Sequence, residues 1–380
     1  MSESLRSSVH VRELFPARGR DRRAFAALPF ALARTVAAWQ PGLRKYHHDL
    51  IHPKRNPFWK DRDASFFVAE RQRRIVGRIA VVTGCIKDRP EAALLAFPDF
   101  TDDPDVTDPL FEVAEARARE RGARALVGPM NPDIHHDVGI QISGHERRNA
   151  IFMGYQPPYY ARHFERRGYQ RLQDFAAWRL DRDTFIAGGR LERLVRRVEQ
   201  QQALRIREIN LRQFPRELEI FHRLYSGAFA DHWGFAAPSW EEFRFIAGDL
   251  RYVLRGRMAL IAEWNGVPVG FVLGVPDLYA ILPKRTSGRL TPTLAIELLA
   301  RWHTVDEARV MIAGVLPAYR KFGVHLSLFH RVAREIFDLG FRGGEISWVL
   351  AENRPMAKVL PLLGAHCTKV YRLFEKRLHQ

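Results

Sequence analysis

The chain has 380 residues, 46% of them hydrophobic, which is enough for two ordinary domain cores. Its 60 Lys and Arg against 43 Asp and Glu leave a net charge of +17, so an acidic partner is expected: nucleic acid, an anionic membrane face, an acidic carrier protein or a phosphorylated small molecule. The pattern excludes several classes: no apolar run nears the ~18 residues of a membrane helix, residues 1–23 lack the apolar core of a signal peptide, and Cys85 and Cys367 stand in no metal-binding spacing.

Val11–Leu14 reads as a strand, followed by two helices. Phe67–Glu70, a polar turn at Arg71–Arg74 and Ile75–Ile79 read as a hairpin. The segment Phe97–Asp105 then carries Asp99, Asp102, Asp103 and Asp105, which repel phosphate. After a strand at Arg124–Gly128 come two loops dense in proline and aromatics, Gly128-Pro129-Met130-Asn131-Pro132 through His135-His136, and Tyr155-Gln156-Pro157-Pro158-Tyr159-Tyr160. Such loops at strand ends suit an acceptor pocket, which nominates Asn131, Tyr155, Tyr159 and Tyr160 for substrate binding; an aromatic plug is the equal alternative. Neither His47-His48 nor His135-His136 has an Asp at the fifth following position, so neither forms the His-x-x-x-x-Asp acyltransferase motif. The highly charged stretch Gly189–Ala203 reads as a linking helix.

The pattern then repeats. Ile206-Arg207-Glu208-Ile209 echoes Val11-Arg12-Glu13-Leu14. Leu260-Ile261-Ala262-Glu263 and Pro268-Val269-Gly270-Phe271-Val272 echo the first hairpin with the same Glu-to-Gly spacing. Asp231-His232-Trp233 is expected to close the second helix of this copy, where His232 is a candidate base and Trp233 a substrate contact. The apolar run Val310–Gly314 leads through Val315-Leu316-Pro317-Ala318-Tyr319-Arg320-Lys321-Phe322-Gly323-Val324-His325 into an amphipathic helix at Leu326–Leu339. Such a basic strand–turn–helix junction aims free N–H groups and the positive end of the helix dipole at one spot, which suits a pyrophosphate. A strand at Glu345–Leu350, a helix from Asn353 to Gly364 and a last strand at Thr368–Phe374 complete the chain. Glu345 is a second candidate base, with an exposed strand-end carboxylate the equal alternative, and Trp348 a candidate substrate contact. Tyr371 is a candidate acid.

The order from Val310 onward resembles the C-terminal half of a GNAT acyltransferase domain, whose turn is usually written R/Q-x-x-G-x-G/A. Here it reads Arg320-Lys321-Phe322-Gly323-Val324-His325, with His in place of the last small residue. The resemblance implies that Val315 supplies a carbonyl-polarising N–H and that Arg320, Lys321, Phe322, Gly323, Val324, His325 and Asn353 surround the donor. The tyrosine many GNAT enzymes place four residues before the helix-ending glycine is Leu360 here, and Phe164 in the first copy. The expected fold class is therefore α/β: two tandem GNAT-like folds, each a mixed, mostly antiparallel sheet flanked by helices. The expected bounds are a first domain over 1–186 that is degenerate for coenzyme A, a linker helix over 187–203, and a donor-binding domain over 204–380.

The words His52-Pro53-Lys54-Arg55-Asn56-Pro57-Phe58, Gly128-Pro129-Met130-Asn131, His232-Trp233-Gly234-Phe235 and Glu345-Ile346-Ser347-Trp348 resemble the bacterial ceramide synthase-like branch of tandem GNAT proteins. That implies an N-acyltransferase moving a long acyl group from acyl-CoA or an acidic acyl carrier protein to a lipid amine such as a sphingoid base, without a metal and without nucleic acid. A cytoplasmic location, peripheral on an anionic inner membrane face, is expected. The alternatives are acetylation of a small polar amine and non-catalytic acyl-CoA binding.

Overall fold

The computed structural model describes residues 8–86, 88–186, 189–200, 203–283 and 288–378. Its first half runs β1 (His10–Leu14), α1 (Gly19–Leu32), α2 (Arg44–Leu50), β2 (Ala64–Arg71), β3 (Arg74–Val82), β4 (Ala92–Phe100), α3 (Pro104–Glu120), β5 (Ala125–Gly128), β6 (Met130–Asn131), β7 (Asp137–Val138), β8 (Ile140–Ser143) and α4 (Tyr159–Arg166). β9 (Gln170–Asp181), α5 (Arg182–Ile186) and α6 (Gly189–Glu199) follow. The second half runs β10 (Leu204–Glu208), α7 (Phe214–Phe229), α8 (Trp240–Gly248), β11 (Ala259–Trp264), β12 (Val267–Pro276), α9 (Pro292–Arg301), β13 (Glu307–Val315), α10 (Val324–Asp338), β14 (Gly343–Leu350), α11 (Arg354–Leu362) and β15 (His366–Arg377).

Contacts divide the chain into two compact units. Unit 1 takes Met1–Asp174, Leu282–Ala295 and Tyr371–Gln380, and unit 2 takes Phe175–Ile281 and Ile296–Val370. Residues 187, 188, 201 and 202 of the expected linker lie outside the described residues, but α6 between them belongs to unit 2, where Val195 is 1% exposed in the core.

In unit 1 the strands run β1-β2-β3-β4-β5, with the far part of β15 beside β5 through Phe374↔Gly128 to Arg377↔Ala125. β4 and β5 pair in parallel, over Ala92↔Ala125 to Leu94↔Val127. Every residue of β4 is buried, which is why it reads as a continuous apolar run instead of an alternating one. The core packs Val81, Leu95, Phe100, Phe111, Leu126 and Phe374 between sheet and helix α3.

Unit 2 repeats this plan as β9-β14-β13-β12-β11-β10, with β13 and β14 again pairing in parallel. Helix α10 buries Val324, Leu328, Val332 and Ile336, spaced four apart along one face. The repeats agree down to irregularities. The hairpin bulges between Ala69 and Glu70 in one unit and between Ala262 and Glu263 in the other. The glutamate after the bulge meets the same arginine in both, Arg12–Glu70 at 2.7 Å and Arg207–Glu263 at 2.6 Å.

Unit 1 also carries an acid-sensitive group. His47 is pushed down to about 4 by burial, with Arg78 adding to the shift. The unfolded chain takes up this proton near pH ~6.5, before the folded chain does. The His47 contribution to stability is therefore complete above about pH 6.5 and is lost as pH falls from there toward 4. A His47→Gln variant is expected to show a flatter fall of Tm over that window than the parent. Parallel melting curves would remove His47 as the cause.

Candidate functional site

The parallel pairing of β13 and β14 stops at Val310↔Ile346, although β13 continues to Val315 and β14 to Leu350. β13 bulges at once: Gly274 faces Val310 and Leu273 faces Ile312, leaving Met311 between them. Beyond the bulge β13 remains paired to β12 on one side, up to Gly270↔Val315. Leu316 donates its N–H to Val269 O at 2.9 Å. Alternation along an antiparallel ladder therefore turns the Val315 N–H and C=O away from β12, toward the edge that β14 has left. An open strand edge inside a sheet is where an extended amide-bearing chain can add main-chain hydrogen bonds.

The junction after β13 is a six-residue 3-10 helix, Pro317–Phe322, ended by Gly323 at φ 76°. That left-handed conformation favours glycine, and a side-chain carbon there would also come within 2.8 Å of Val198 on α6. α10 starts directly at Val324 with no side-chain cap, and the first amides drawn into the helix pattern are those of Leu326 and Ser327, both bonded to Gly323 O. The preceding amides thus face outward at the positive end of a 15-residue helix. His325 adjoins them, its imidazole shifted below the ordinary value by burial.

Arg320 does more than add charge. It donates to Val315 O at 3.2 Å and Ala228 O at 2.7 Å, tying the junction to the end of α7. The glycines permit this approach: a side-chain carbon at Gly314 would meet Ala228 at 2.8 Å and Phe229 at 3.1 Å. Lys321 lies over the Phe322 ring at 5.2 Å.

His232 does not close the second helix. It sits in the turn between α7 and α8, because Phe229 O accepts its N–H and Ser239 starts α8 with a capping box. The Phe229 ring touches the imidazole at a centroid separation of 4.8 Å. Phe229 thus bridges His232 to the Gly314 end of β13. The Nδ1 atom of His232 is buried without a hydrogen-bond partner. Burial, with Arg320 second, lowers this histidine below its ordinary value against the pull of Asp231. Trp233 follows in the same turn, half-buried.

Glu345 is ion-paired. Lys369, 1% exposed, meets Oε2 at 2.5 Å, and the Ser347 hydroxyl donates to Oε1 at 3.2 Å. Arg309, equally buried, donates to Ser347 Oγ at 3.1 Å and lies over Trp348 at 4.9 Å. Asn353 accepts the Met356 N–H at 3.2 Å as the cap of α11. Leu360 is fully buried. Tyr371 falls in unit 1 and is completely buried there.

The equivalent places in unit 1 are filled by protein. Asp103 caps α3 through the Asp105 N–H and pairs with Arg71. Next to the end of the β4–β5 pairing, Asn131 Oδ1 accepts the Phe97 N–H at 2.5 Å, at a residue with φ 52° in the β4 bulge. Tyr159 donates to Phe100 O, and Tyr160, fully buried, stacks on Phe100 and donates to Asp99. Asp99 pairs with buried Arg78, and its carboxyl is raised mainly by burial. Tyr155 is buried with its hydroxyl on His145 O. Among the described residues no group of three His, Cys, Asp or Glu is placed to hold a metal, and no helix is long and apolar enough to cross a membrane.

No family model matches the chain. A curated bacterial ceramide synthase of Caulobacter vibrioides is 29% identical over 368 residues, 94% of this chain and 95% of the relative. Protein YghO of Escherichia coli is 29% identical over 94% of this chain and 93% of its own length. Among solved structures, a tandem GNAT protein from the clavulanic acid biosynthesis pathway superposes with a TM-score of 0.58 at 12% identity, covering 98% of this chain and 99% of that one. A GCN5-related N-acetyltransferase from Sphaerobacter thermophilus gives 0.52 at 14% identity over 98% and 96%. The structural likenesses show the fold, two GNAT-like units in tandem. Along nearly its whole length the chain is similar to a bacterial ceramide synthase, and its fold is that of tandem GNAT proteins.

Proposed function

We propose that this tandem GNAT-like N-acyltransferase moves a long-chain acyl group from a CoA-type or carrier-protein thioester to a lipid amine, with a sphingoid base as the acceptor. The carrying observation is a contrast between the repeats. The free strand edge and the capless helix start exist in unit 2, whereas Asn131 and Asp103 fill both places in unit 1. The donor's pantetheine amides lie along β13 beyond Met311, and its pyrophosphate meets the N–H groups of Gly323, Val324 and His325. The Val315 N–H polarises the thioester carbonyl.

The neutral amine attacks that carbonyl, forming the C–N bond. His232 takes the excess proton from nitrogen at Nδ1. Collapse of the tetrahedral adduct breaks the C–S bond, and the imidazolium returns the proton to the departing thiolate. His232 thereby covers the acid role for which Leu360 offers no donor. Likeness to a ceramide synthase along nearly the whole chain supports the long-chain lipid pair over acetylation of a polar amine.

A purified-protein assay of thioester consumption tests this, with palmitoyl and acetyl donors in CoA and carrier-protein forms against sphinganine and spermidine. Palmitoyl transfer to sphinganine is the expected result. Acetyl transfer to spermidine alone would overturn it. Gly323→Val is expected to weaken palmitoyl-CoA binding at least about tenfold, through the φ it cannot adopt and the contact with Val198. Unchanged affinity would remove the junction as the donor site.

A lipid acceptor also calls for a membrane approach. Ile296 and Leu299, three apart on α9, are 68% and 74% exposed, on a chain of net charge +17. Ile296→Glu with Leu299→Glu is expected to reduce co-sedimentation with phosphatidylglycerol vesicles without changing Tm. Equal sedimentation would rule this helix out as the contact.

A further inference from the structure

The word His52-Pro53-Lys54-Arg55-Asn56-Pro57-Phe58 takes no part in the donor chemistry, yet its backbone is firmly built. It follows α2 in unit 1. Asn56, 1% exposed, donates through Nδ2 to Leu50 O at 2.7 Å and accepts the Phe58 N–H at 3.1 Å. The Trp59 indole donates to the same Leu50 carbonyl at 2.7 Å. His52 O accepts the N–H groups of both Arg55 and Asn56. The loop thereby fixes where His52 and Arg55 stand.

Arg22 of α1 reaches this region from the other helix. It donates from Nε to His48 Nε2 at 2.8 Å and from Nη1 to Pro16 O at 2.5 Å. An arginine can only donate, so His48 is neutral, with its proton on Nδ1, 3.6 Å from Asp49 Oδ1. The His48 and His52 rings meet edge-on, 5.8 Å between centroids. His52 Nδ1 accepts the Lys54 N–H at 3.2 Å, which leaves the proton of the neutral ring on Nε2. The carboxylate of this cluster, Asp49, is already shared by Lys45 at 2.7 Å and Arg55 at 2.8 Å.

Positive charge is therefore left over. Arg22 has no carboxylate at ion-pair distance among the described residues. Burial first, then the charges of Arg55 and Arg23, hold its guanidinium below the ordinary arginine value. Burial, then Arg22 and Arg55, also lower His52, so it is neutral at pH 7. Like charges held this close repel until a counter-charge joins them. Arg22 Nη2, Arg55 Nε and Nη2, and His52 Nε2 bond to no protein atom among the described residues. Every one of these groups is a donor, and they belong to two guanidinium forks and a ring N–H. A carboxylate saturates one fork, whereas the several oxygens of a phosphate serve all of these donors at once.

We infer that Arg22, His52 and Arg55 form a phosphate-binding site in unit 1, with the Arg22 fork held ready by His48 and Pro16. The site stands independently of the acyl-transfer reading. Its ligand is a phosphate group, carried either by a soluble molecule or by a lipid headgroup.

The test uses the full-length protein in about 0.15 M salt. Calorimetric titration with inorganic phosphate reports a soluble ligand, and co-sedimentation with vesicles of phosphatidic acid in phosphatidylcholine reports a headgroup. Arg22→Gln with Arg55→Gln is expected to weaken binding at least about tenfold in whichever arm the parent binds. Arg73→Gln with Arg74→Gln removes the same charge at the exposed β2–β3 turn of this unit and is expected to leave binding unchanged. Arg22→Lys keeps the charge but cannot bridge His48 and Pro16, so it is expected to bind more weakly at an unchanged Tm. Binding in neither arm overturns the site. So does parental binding in the Arg22 and Arg55 double variant, or an equal loss in both double variants, which would mean that only net charge is felt.

Discussion

His232→Ala is expected to lower kcat about 100- to 1,000-fold, the range for losing a positioned general base, with palmitoyl-CoA affinity close to that of the parent. The separation follows from position. His232 touches the Phe229 ring in the turn after α7, whereas the donor amides belong to the start of α10. A pH profile distinguishes a base from a packing residue. Burial and Arg320 hold this imidazole below its ordinary value, so it is neutral at pH 7 and stays neutral somewhat below pH ~6.5. The parent's kcat/KM is expected to be flat across neutrality and to fall only on the acid side of pH ~6.5, and His232→Ala should lack that limb. An alanine variant with parental kcat would return the base role to another group.

Lys369→Met is expected to cost about 3–5 kcal/mol of stability, the usual penalty for removing one partner of a buried ion pair. The ammonium meets Glu345 at 2.5 Å where the side chains of the pair are only 2% and 12% exposed. Without it, the carboxylate loses its ammonium partner and keeps the Ser347 hydroxyl. Adding Glu345→Gln to Lys369→Met is expected to recover much of the loss, since a neutral amide tolerates burial better. Urea unfolding of the two single variants and the double variant measures this coupling. Additive effects would show that the pair does not interact. Because Ser347 also receives Arg309, the same substitution should loosen β14 where it leaves β13, and weaker thioester binding in Lys369→Met would follow.

The sequence carried the duplication clearly, because it is written in local signals. The Arg12–Glu70 and Arg207–Glu263 pairs sit in matching words, and the hairpins share their spacing to a bulge that both units keep. Gly323 and Gly364, at φ 76° and 89°, stand where the junction and the helix stop were expected, and Asn353 caps α11 as expected. Signals of this kind involve neighbours within a turn or a strand pair, so residue type and spacing suffice.

The site was less legible. Arg320 read as phosphate-facing charge, yet it reaches across 92 positions to Ala228 O. Glu345 read as a candidate base, yet a lysine 24 residues on lies against it. Asn131 and Asp103, the residues that fill unit 1, carry no mark of that role in their own segments.

By itself, then, the sequence determined the α/β class, the repeat, the strand–junction–helix word and the lack of a basic, glycine-bearing junction in the first copy. Only the tertiary structure decided which backbone groups stay free, which carboxylates are neutralised by distant cations, and which histidine nitrogens are left without a partner. The reason is physical: propensity and spacing act over a few residues, whereas exposure, charge pairing and hydrogen-bond saturation depend on chain segments that meet only after folding.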